Sequence, residues 1–302
     1  MTPPSLYIGI DAGGTRSRLL GRTREGETLI QAEGPGANPH RIGYEASARL
    51  LAELIQTHCR VQPLHRLAGV GLGVAGLGRP ADTEAFLDAF HRYLPPLAPD
   101  RLVVLSDADL ALHAAFGASG SGALIIAGTG SIVLARTAEG ERVRAGGWGY
   151  LLGDEGGGYR IGQAGLQAVA RAYDGGPPTI LASLLQGSFD MTRPEHLVER
   201  VYRPDWSMAA VAPLVLQGAA QGDAVCKAIL HAQTTALAGQ AVMLLRTNPT
   251  IDRTLRFTGG LTDDAGFASL LAGALKEALP ALDVGRLSTS PVEAAVNLAM
   301  TA

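Results

Sequence analysis

The chain has 302 residues, long for a single core and comfortable for two domains. Hydrophobic residues make up 47% and charged residues 18%, which excludes a disordered chain, and a net charge of −3 excludes a strongly electrostatic nucleic-acid binder. Glycine is the outlier, with 39 residues against a usual share of about 7%. There is no collagen period and the glycines sit inside apolar runs, so a flexible linker is excluded too. A compact α/β protein remains, with many tight turns or close backbone approaches. Cys59 and Cys226 are too far apart in sequence for a disulfide framework or a metal motif, and read as ordinary reduced thiols. The N-terminal MTPPSLYIGID lacks a signal peptide's basic and apolar regions, and no run reaches about 18 apolar residues, so a cytoplasmic protein with no membrane partner is expected.

In chain order, Leu6–Ile10 predicts a strand, followed by Asp11, Gly13, Gly14 and Thr15 and a returning strand, Arg18–Arg22. Arg24–Glu27 is a turn and Thr28–Ala32 a third strand. Connections this short force an antiparallel meander. Glu33–Asn38 reads as a Gly/Pro loop. Tyr44–Cys59 is a helix, with Ala48, Leu51, Leu54 and Ile55 at helical spacing. Leu67–Ala75 is a wholly apolar strand, as a buried parallel position requires. A helix at Asp82–Phe90, a strand at Leu102–Leu105 and a helix at Asp109–Phe116 complete a β-β-β-α-β-α-β-α order. A second start follows: strand Ala123–Ala127, turn Gly128–Ser131, strand Ile132–Arg136 and the turn Ala138–Glu141. Two hairpins with Gly/Thr turns, roughly 115 residues apart, suggest an internal duplication. Helices are expected at Tyr159–Tyr173, Pro178–Leu185, Met208–Gln221 and Ala224 to about Leu245. Strand Leu255–Thr258 precedes Gly259-Gly260, and helices at Gly266–Leu279 and Pro291–Met300 end the chain.

Six segments carry candidate chemistry. Asp11-Ala12-Gly13-Gly14-Thr15 turns after a buried strand. Glycine lets backbone N–H groups approach a phosphate, Thr15 adds a hydroxyl, and Asp11 can hold a hydrated magnesium ion; the alternative is an ordinary β-turn. The dinucleotide fingerprint and the P-loop lysine are both missing. Gly128-Thr129-Gly130-Ser131 repeats the pattern, and two such turns can grip a triphosphate. In Ser106-Asp107-Ala108-Asp109, Asp107 directly follows the strand and suits a general base, Asp109 suits the helix dipole, and either can simply cap. Gly146–Gly158 is dense in glycine, with Trp148 offering an apolar face to a sugar ring and Asp154 and Glu155 able to accept from hydroxyls or to cap the next helix. Asn38, in Gly34–Asn38, can pair with neighbouring hydroxyls or serve as a turn residue. Gly259 and Gly260 end a strand where an adenosine can lie on exposed backbone.

Taken in order, IGIDAGGT (8–15), the Asn38 loop, GVAGLG (73–78), SDA (106–108), AGTGS (127–131), GGWGYLLGDEGGG (146–158) and TGGL (258–261) resemble the N-acetylglucosamine kinase branch of the BadF/BadG/BcrA/BcrD ATPase family, within the actin/hexokinase/Hsp70-like superfamily. The resemblance spans nearly the whole chain. It implies an α/β fold of two ribonuclease-H-like (actin/hexokinase-type) domains with a central ATP/sugar cleft: residues 1–118, with a C-terminal helix at 289–302 packing back, and residues 119–288. It implies ATP phosphates at Gly13, Gly14 and Thr15 and at Gly128, Thr129, Gly130 and Ser131, with Gly259 and Gly260 for the nucleotide and Asp11 for Mg2+ through water. It implies sugar contacts at Asn38, Asp107, Gly147, Trp148 and Asp154, with Asp107 as base, and a homodimer. Ala294 stands where a glycine is common, so the adenosine contacts there depart from the pattern. The cluster-bridging cysteines of the dehydratase activators and the zinc loops of ROK sugar kinases are missing.

The expected activity is therefore ATP-dependent phosphorylation of the 6-hydroxyl of N-acetylglucosamine or glucosamine. The alternatives are an ATPase that activates a partner enzyme and a non-catalytic sugar or nucleotide sensor.

Overall fold

The structure is a computed structural model that describes residues 5–59, 66–93 and 99–301. Met1–Pro4 of the N-terminal segment and Ala302 lie outside the described residues. The chain divides into two compact units, residues 1–118 with 288–302, and residues 119–287.

The first unit opens with the meander β1 (Ser5–Ala12), β2 (Arg16–Thr23) and β3 (Thr28–Pro35). Strand β3 runs through Pro35, so the loop expected from Glu33 is shorter than predicted. The short helix α1 (Pro39–Ile42) and the helix α2 (Tyr44–Cys59) lead to β4 (Arg66–Val74), followed by α3 (Pro80–His91), β5 (Arg101–Ser106) and α4 (Asp107–Phe116). The sheet order is β3-β2-β1-β4-β5, with β1, β4 and β5 parallel. Period-two alternation sorts the side chains of β1 and β4. Ile8, Ile10, Val70, Leu72 and Val74 meet Leu51 and Ile55 of α2 and Phe86 and Phe90 of α3 in a dry core.

Glycine dominates the opposite face. A Cβ on Gly9 would lie 2.4 Å from Val296 N, one on Gly69 would lie 2.3 Å from Ala299 O, and one on Gly71 would lie 2.1 Å from Ala295 O. The C-terminal helix, Pro291–Thr301, therefore rests its backbone directly on the sheet. These positions use glycine because no other residue fits between sheet and helix, which explains Gly69 and Gly71 within the glycine-broken apolar run around Leu67–Gly78.

The second unit repeats the plan. Its elements are β6 (Gly122–Ala127), β7 (Ser131–Arg136), β8 (Arg142–Gly146), α5 (Gly158–Tyr173), α6 (Leu181–Phe189), α7 (Pro194–Val201), α8 (Ala212–Ala220), α9 (Ala224–Thr247), β9 (Thr254–Thr258), α10 (Ala265–Ala278) and β10 (Asp283–Arg286). The order β8-β7-β6-β9-β10 has the same pairing senses as β3-β2-β1-β4-β5. The two hairpin turns thus belong to a genuine structural duplication, and the expected α/β architecture of two ribonuclease-H-like parts holds.

The structure adds α1, β8, α7 and β10 to the predicted elements. It also breaks the helix expected over Met208–Gln221: residues Met208–Val211 form a 3-10 turn and α8 restarts with Pro213 in its first turn. Proline suits that position because its missing N–H and fixed φ fit a helix start rather than an interior. Helix α9 is long and apolar enough to span a membrane by length and composition. Here Ile229, Leu237, Ala241 and Leu245 enter the core of the second unit with Ile125, Val133 and Phe257.

Replacing Gly71 with Ala should destabilise the protein by about 1–3 kcal/mol, the usual cost of forcing a methyl into a packed contact. Gly78→Ala, where a Cβ meets nothing within 4 Å, should leave stability almost unchanged. Urea unfolding of the two variants checks this; equal midpoints would contradict the seating of the C-terminal helix.

Candidate functional site

In the first unit the parallel strands end level. Asp11 of β1 pairs with Gly73 of β4, and Gly73 pairs with Leu105 of β5. The turn after β1, the loop after β4 and the start of α4 therefore emerge along one sheet edge, the carboxyl edge at which parallel α/β sheets present ligands.

At that edge the β1–β2 turn is held by its carbonyls. Gly13 N–H donates to Arg16 O at 2.9 Å, Gly13 O accepts from Ala37 N–H at 3.1 Å, and Gly14 O accepts from Arg41 Nη1 at 2.7 Å. Gly36 lies on the turn so closely that a Cβ there would sit 2.3 Å from Gly14 O. The N–H groups of Gly14 and Thr15 and the exposed Thr15 hydroxyl take no protein acceptor among the described residues. Carbonyls bound back and donors turned out form an anion cradle.

Asn38 caps α1: its Oδ1 accepts from His40 N–H at 2.9 Å, leaving the amide NH2 outside the cap. Gly76, at φ +92, packs against that amide. Asn38 is thus a helix-capping residue whose amide donors remain outside the cap.

Helix α4 begins at Asp107 rather than Asp109, and neither aspartate is its N-cap. Ser106 caps: its Oγ accepts from Asp109 N–H at 3.0 Å and donates to Asp109 Oδ2 at 2.6 Å. This reciprocal pair ties Asp109 down. Asp107 stays exposed, its Oδ1 taking the Ala108 N–H at 2.9 Å. Although solvent reaches it, surrounding protein pushes its pKa up; the backbone N–H groups of Ala108 and Asp107 oppose this and Asp109 adds to it. Asp11 is raised for the same first reason, against the lowering effects of Arg18 and Arg16, and Asp107 contributes to the rise. The two carboxyls thus share one field, across two strand spacings or roughly 10 Å.

In the second unit the β6–β7 turn follows the same logic. Gly128 N–H donates to Gly130 O at 2.9 Å, while Gly128 O and Thr129 O each accept at 2.8 Å from Gly158 and Tyr159 N–H at the start of α5. Thr129 is exposed, as Thr15 is. Ser131 is buried and its hydroxyl donates to Glu155 O at 2.6 Å, so that hydroxyl is a tether for the 146–158 loop.

Gly146, Gly147, Gly149 and Gly156 of that loop have positive φ, and so does Asp154 at +61. Asp154 Oδ1 accepts from Gly149 N–H at 3.1 Å, and its Oδ2 fills the space beside Gly130, where a Cβ would be 2.3 Å away. It therefore joins the loop to the β6–β7 turn. Neither acid caps α5, whose N-cap is Gly157. Glu155 points inward to Gln240 Nε2 at 2.5 Å, and Gln233 Oε1 accepts from Gly156 N–H at 2.9 Å. Gln233 and Gln240 were not singled out in the sequence. The only signal was a glutamine pair two helical turns apart on a largely apolar helix. Trp148 is 64% exposed, with the Arg144 guanidinium 4.7 Å from its ring centre. Arg144, also unforeseen, donates to Gly147 O at 3.3 Å. Gly259, at φ +106, lies against Ala127 O, so β9 delivers Gly259 and the open Gly260 beside the same turn. Ala294, linked above to adenosine, is buried in the first unit with Leu110.

Among the described residues no three His, Cys, Asp or Glu side chains gather as a metal cage. A single carboxylate such as Asp11 beside outward backbone donors fits magnesium, which takes one or two carboxylates and completes its shell with phosphate and water. Burial pushes the Cys59 thiol up to about 11 and that of Cys226 to about 12.

Two outcomes follow. Asp107→Asn should be more stable than the native protein at pH 7, because ionising a carboxyl with a raised folded pKa costs native-state free energy. The gain should shrink as pH falls through the raised folded value and vanish below the ordinary value of 3.8, where both states are protonated. Urea midpoints across pH check the sign. Gly130→Ala should displace the Asp154 carboxylate, visible as faster hydrogen exchange at the Gly149 amide.

Residues 8–302 match the family model of the BadF/BadG/BcrA/BcrD ATPase family. The chain is 31% identical over 229 residues to an N-acetylmuramic acid/N-acetylglucosamine kinase of Clostridium acetobutylicum, covering 74% of each chain. It is 29% identical over 315 aligned positions to an N-acetyl-D-glucosamine kinase of Dictyostelium discoideum, covering 98% of each. A crystal structure from Chromobacterium violaceum, of a protein described as a candidate N-acetylglucosamine kinase, matches with TM-score 0.74 at 23% identity over 98% of this chain and 99% of that one, and so shares the fold. The chain belongs to the BadF/BadG/BcrA/BcrD ATPase family.

Proposed function

We propose that the protein is an ATP-dependent amino-sugar kinase that phosphorylates the 6-hydroxyl of N-acetylglucosamine or glucosamine. The observation that carries this reading is Asp107: Ser106 and Asp109 complete the helix cap between themselves, leaving an exposed carboxyl with a raised pKa on the same edge as the Gly14 and Thr15 donors. A carboxylate made more basic by its surroundings is suited to take a hydroxyl proton. The names of the relatives supply the substrate class.

In this reading Asp107 orients the hydroxyl and accepts its proton, and the spare amide donors of Asn38 hold the sugar. Gly147, Trp148 and Asp154 contact the sugar from the second unit, Trp148 through the ring face that Arg144 leaves open. Gly13, Gly14 and Thr15, and Gly128, Thr129, Gly130 and Ser131, line the phosphates, with the outward N–H groups of Gly14 and Thr15 as donors on the first turn; Gly259 and Gly260 take the adenosine. Asp11 holds Mg2+ through water, and the ion would supply charge neutralisation at the phosphates. Positioning and charge stabilisation carry the rate, as in other phosphoryl transfers. The domains correspond to the two compact units, residues 1–118 with 288–302, and residues 119–287. An ATPase driving a partner through a thiolate-held cluster draws no support from a half-buried Cys59 and a buried Cys226, both with raised pKa.

A coupled ADP-release assay with N-acetylglucosamine, glucosamine and glucose tests the reading. ADP that appears only with an amino sugar supports it; ADP without sugar indicates an ATPase, and no ADP indicates a sensor. Asp107→Asn should lower kcat by about 10^2–10^4-fold while ATP still binds, the range expected on losing a general base. Near-normal kcat would remove Asp107 from that role.

A further inference from the structure

We infer that Arg41 is a further substrate-contacting residue, whose guanidinium grips the terminal phosphate of the nucleotide; the inference rests on the kinase reading above. Helix α1 starts immediately after Asn38, and Arg41 lies in its only turn. From there the side chain reaches back across the β1–β2 turn to give one hydrogen bond, Nη1 to Gly14 O at 2.7 Å. The same nitrogen is the nearest atom, at 3.8 Å, to where a Cβ on Gly14 would be, so the guanidinium stands beside the turn.

Its charge is unspent. Arg16 and Arg18, on the strand leaving the same turn, both face Glu33, at 3.9 and 3.5 Å. Among the described residues no carboxylate lies within ion-pair distance of Arg41. A guanidinium has five N–H donors in a rigid fork. One is fixed on a backbone carbonyl, which restrains the side chain and leaves the others beside the outward N–H groups of Gly14 and Thr15. A restrained fork next to backbone donors, with no anion of its own, is a phosphate-recognition arrangement.

Position selects the phosphate. Arg41 stands three residues from Asn38, which is read as a sugar contact, and touches the turn read as a phosphate cradle. The phosphate that meets the sugar is the terminal one. A cation there neutralises charge on the group in transfer and leaves the rest of the nucleotide untouched.

Calorimetric titration of native protein and Arg41→Ala with ADP and with a non-hydrolysable ATP analogue tests this, together with steady-state kinetics. ADP affinity is expected to stay within about twofold, analogue affinity to fall at least tenfold, and kcat to fall at least 100-fold, below the 10^3–10^5 seen for arginines on transferring phosphates. The KM for the sugar should hardly change. Arg41→Lys keeps the charge without the fork and should fall between the two. Equal weakening of ADP and analogue would mean that Arg41 only braces the turn, and an unchanged analogue affinity would mean that it touches no phosphate; either overturns the proposal. If the native protein consumes no ATP with any amino sugar, the kinase reading fails. The ADP-versus-analogue comparison still decides Arg41, because binding needs no turnover.

Discussion

Backbone laid directly on backbone is the constraint on which the rest of this structure depends. Gly9, Gly69 and Gly71 let the C-terminal helix rest on β1 and β4 with no side chain between. That contact closes one face of the first sheet, whose other face is closed by Leu51, Ile55, Phe86 and Phe90. With both faces covered, β1 and β4 run as buried parallel strands with the half-buried edge strand β5 beside them, and the level ends of the three set Asp11 and Asp107 on one edge. The same device shapes the turns. Gly36 lies on Gly14, Gly157 on Gly130, and Gly259 on the Ala127 carbonyl, each where a Cβ would come within 3 Å of backbone. A methyl at any of these positions would push a donor-bearing turn away from its support.

Electrostatics follow from that geometry. In both hairpin turns the carbonyls are consumed by neighbouring N–H groups or by Arg41, so donors remain facing outward. Donors without acceptors and carboxyls held above their ordinary pKa both disfavour the empty protein. Groups of this kind persist where a ligand or a reaction uses them. The Ser106–Asp109 pair shows the division of labour within four residues: one acid is spent on the helix, and the next stays available.

Much of the fold was legible because hydrophobic period and turn chemistry agree. Tyr44–Cys59 is bounded as its 3.6-residue spacing requires, and the two Gly/Thr turns announced a duplication that the strand orders carry through. What escaped notice was short or tertiary. Strand β8, Arg142–Gly146, alternates arginines with Val143 and Ala145 over too few residues to stand out from a loop, and β10 has four residues. The seat of the C-terminal helix is invisible in a linear pattern, since glycine in a strand also signals a bulge or a weak strand. At the candidate site the glycine turns, Asn38, Asp107 and Asp154 stood out by residue type. Their supports did not. Gln233 and Gln240 reach the 146–158 loop from about 80 residues away in sequence, and the bond from the Ser131 hydroxyl to Glu155 O is equally invisible in a linear pattern.

The central claim is that the protein transfers a phosphoryl group from ATP to the 6-hydroxyl of an amino sugar. It is tested most directly by incubating the protein with ATP, Mg2+ and N-acetylglucosamine or glucosamine and locating the phosphate by phosphorus–carbon coupling in the product's NMR spectrum. The account predicts a phosphate on the 6-oxygen of at least one of the two sugars. ATP hydrolysed to free phosphate with both sugars unmodified, or a phosphate on any other oxygen, would contradict it.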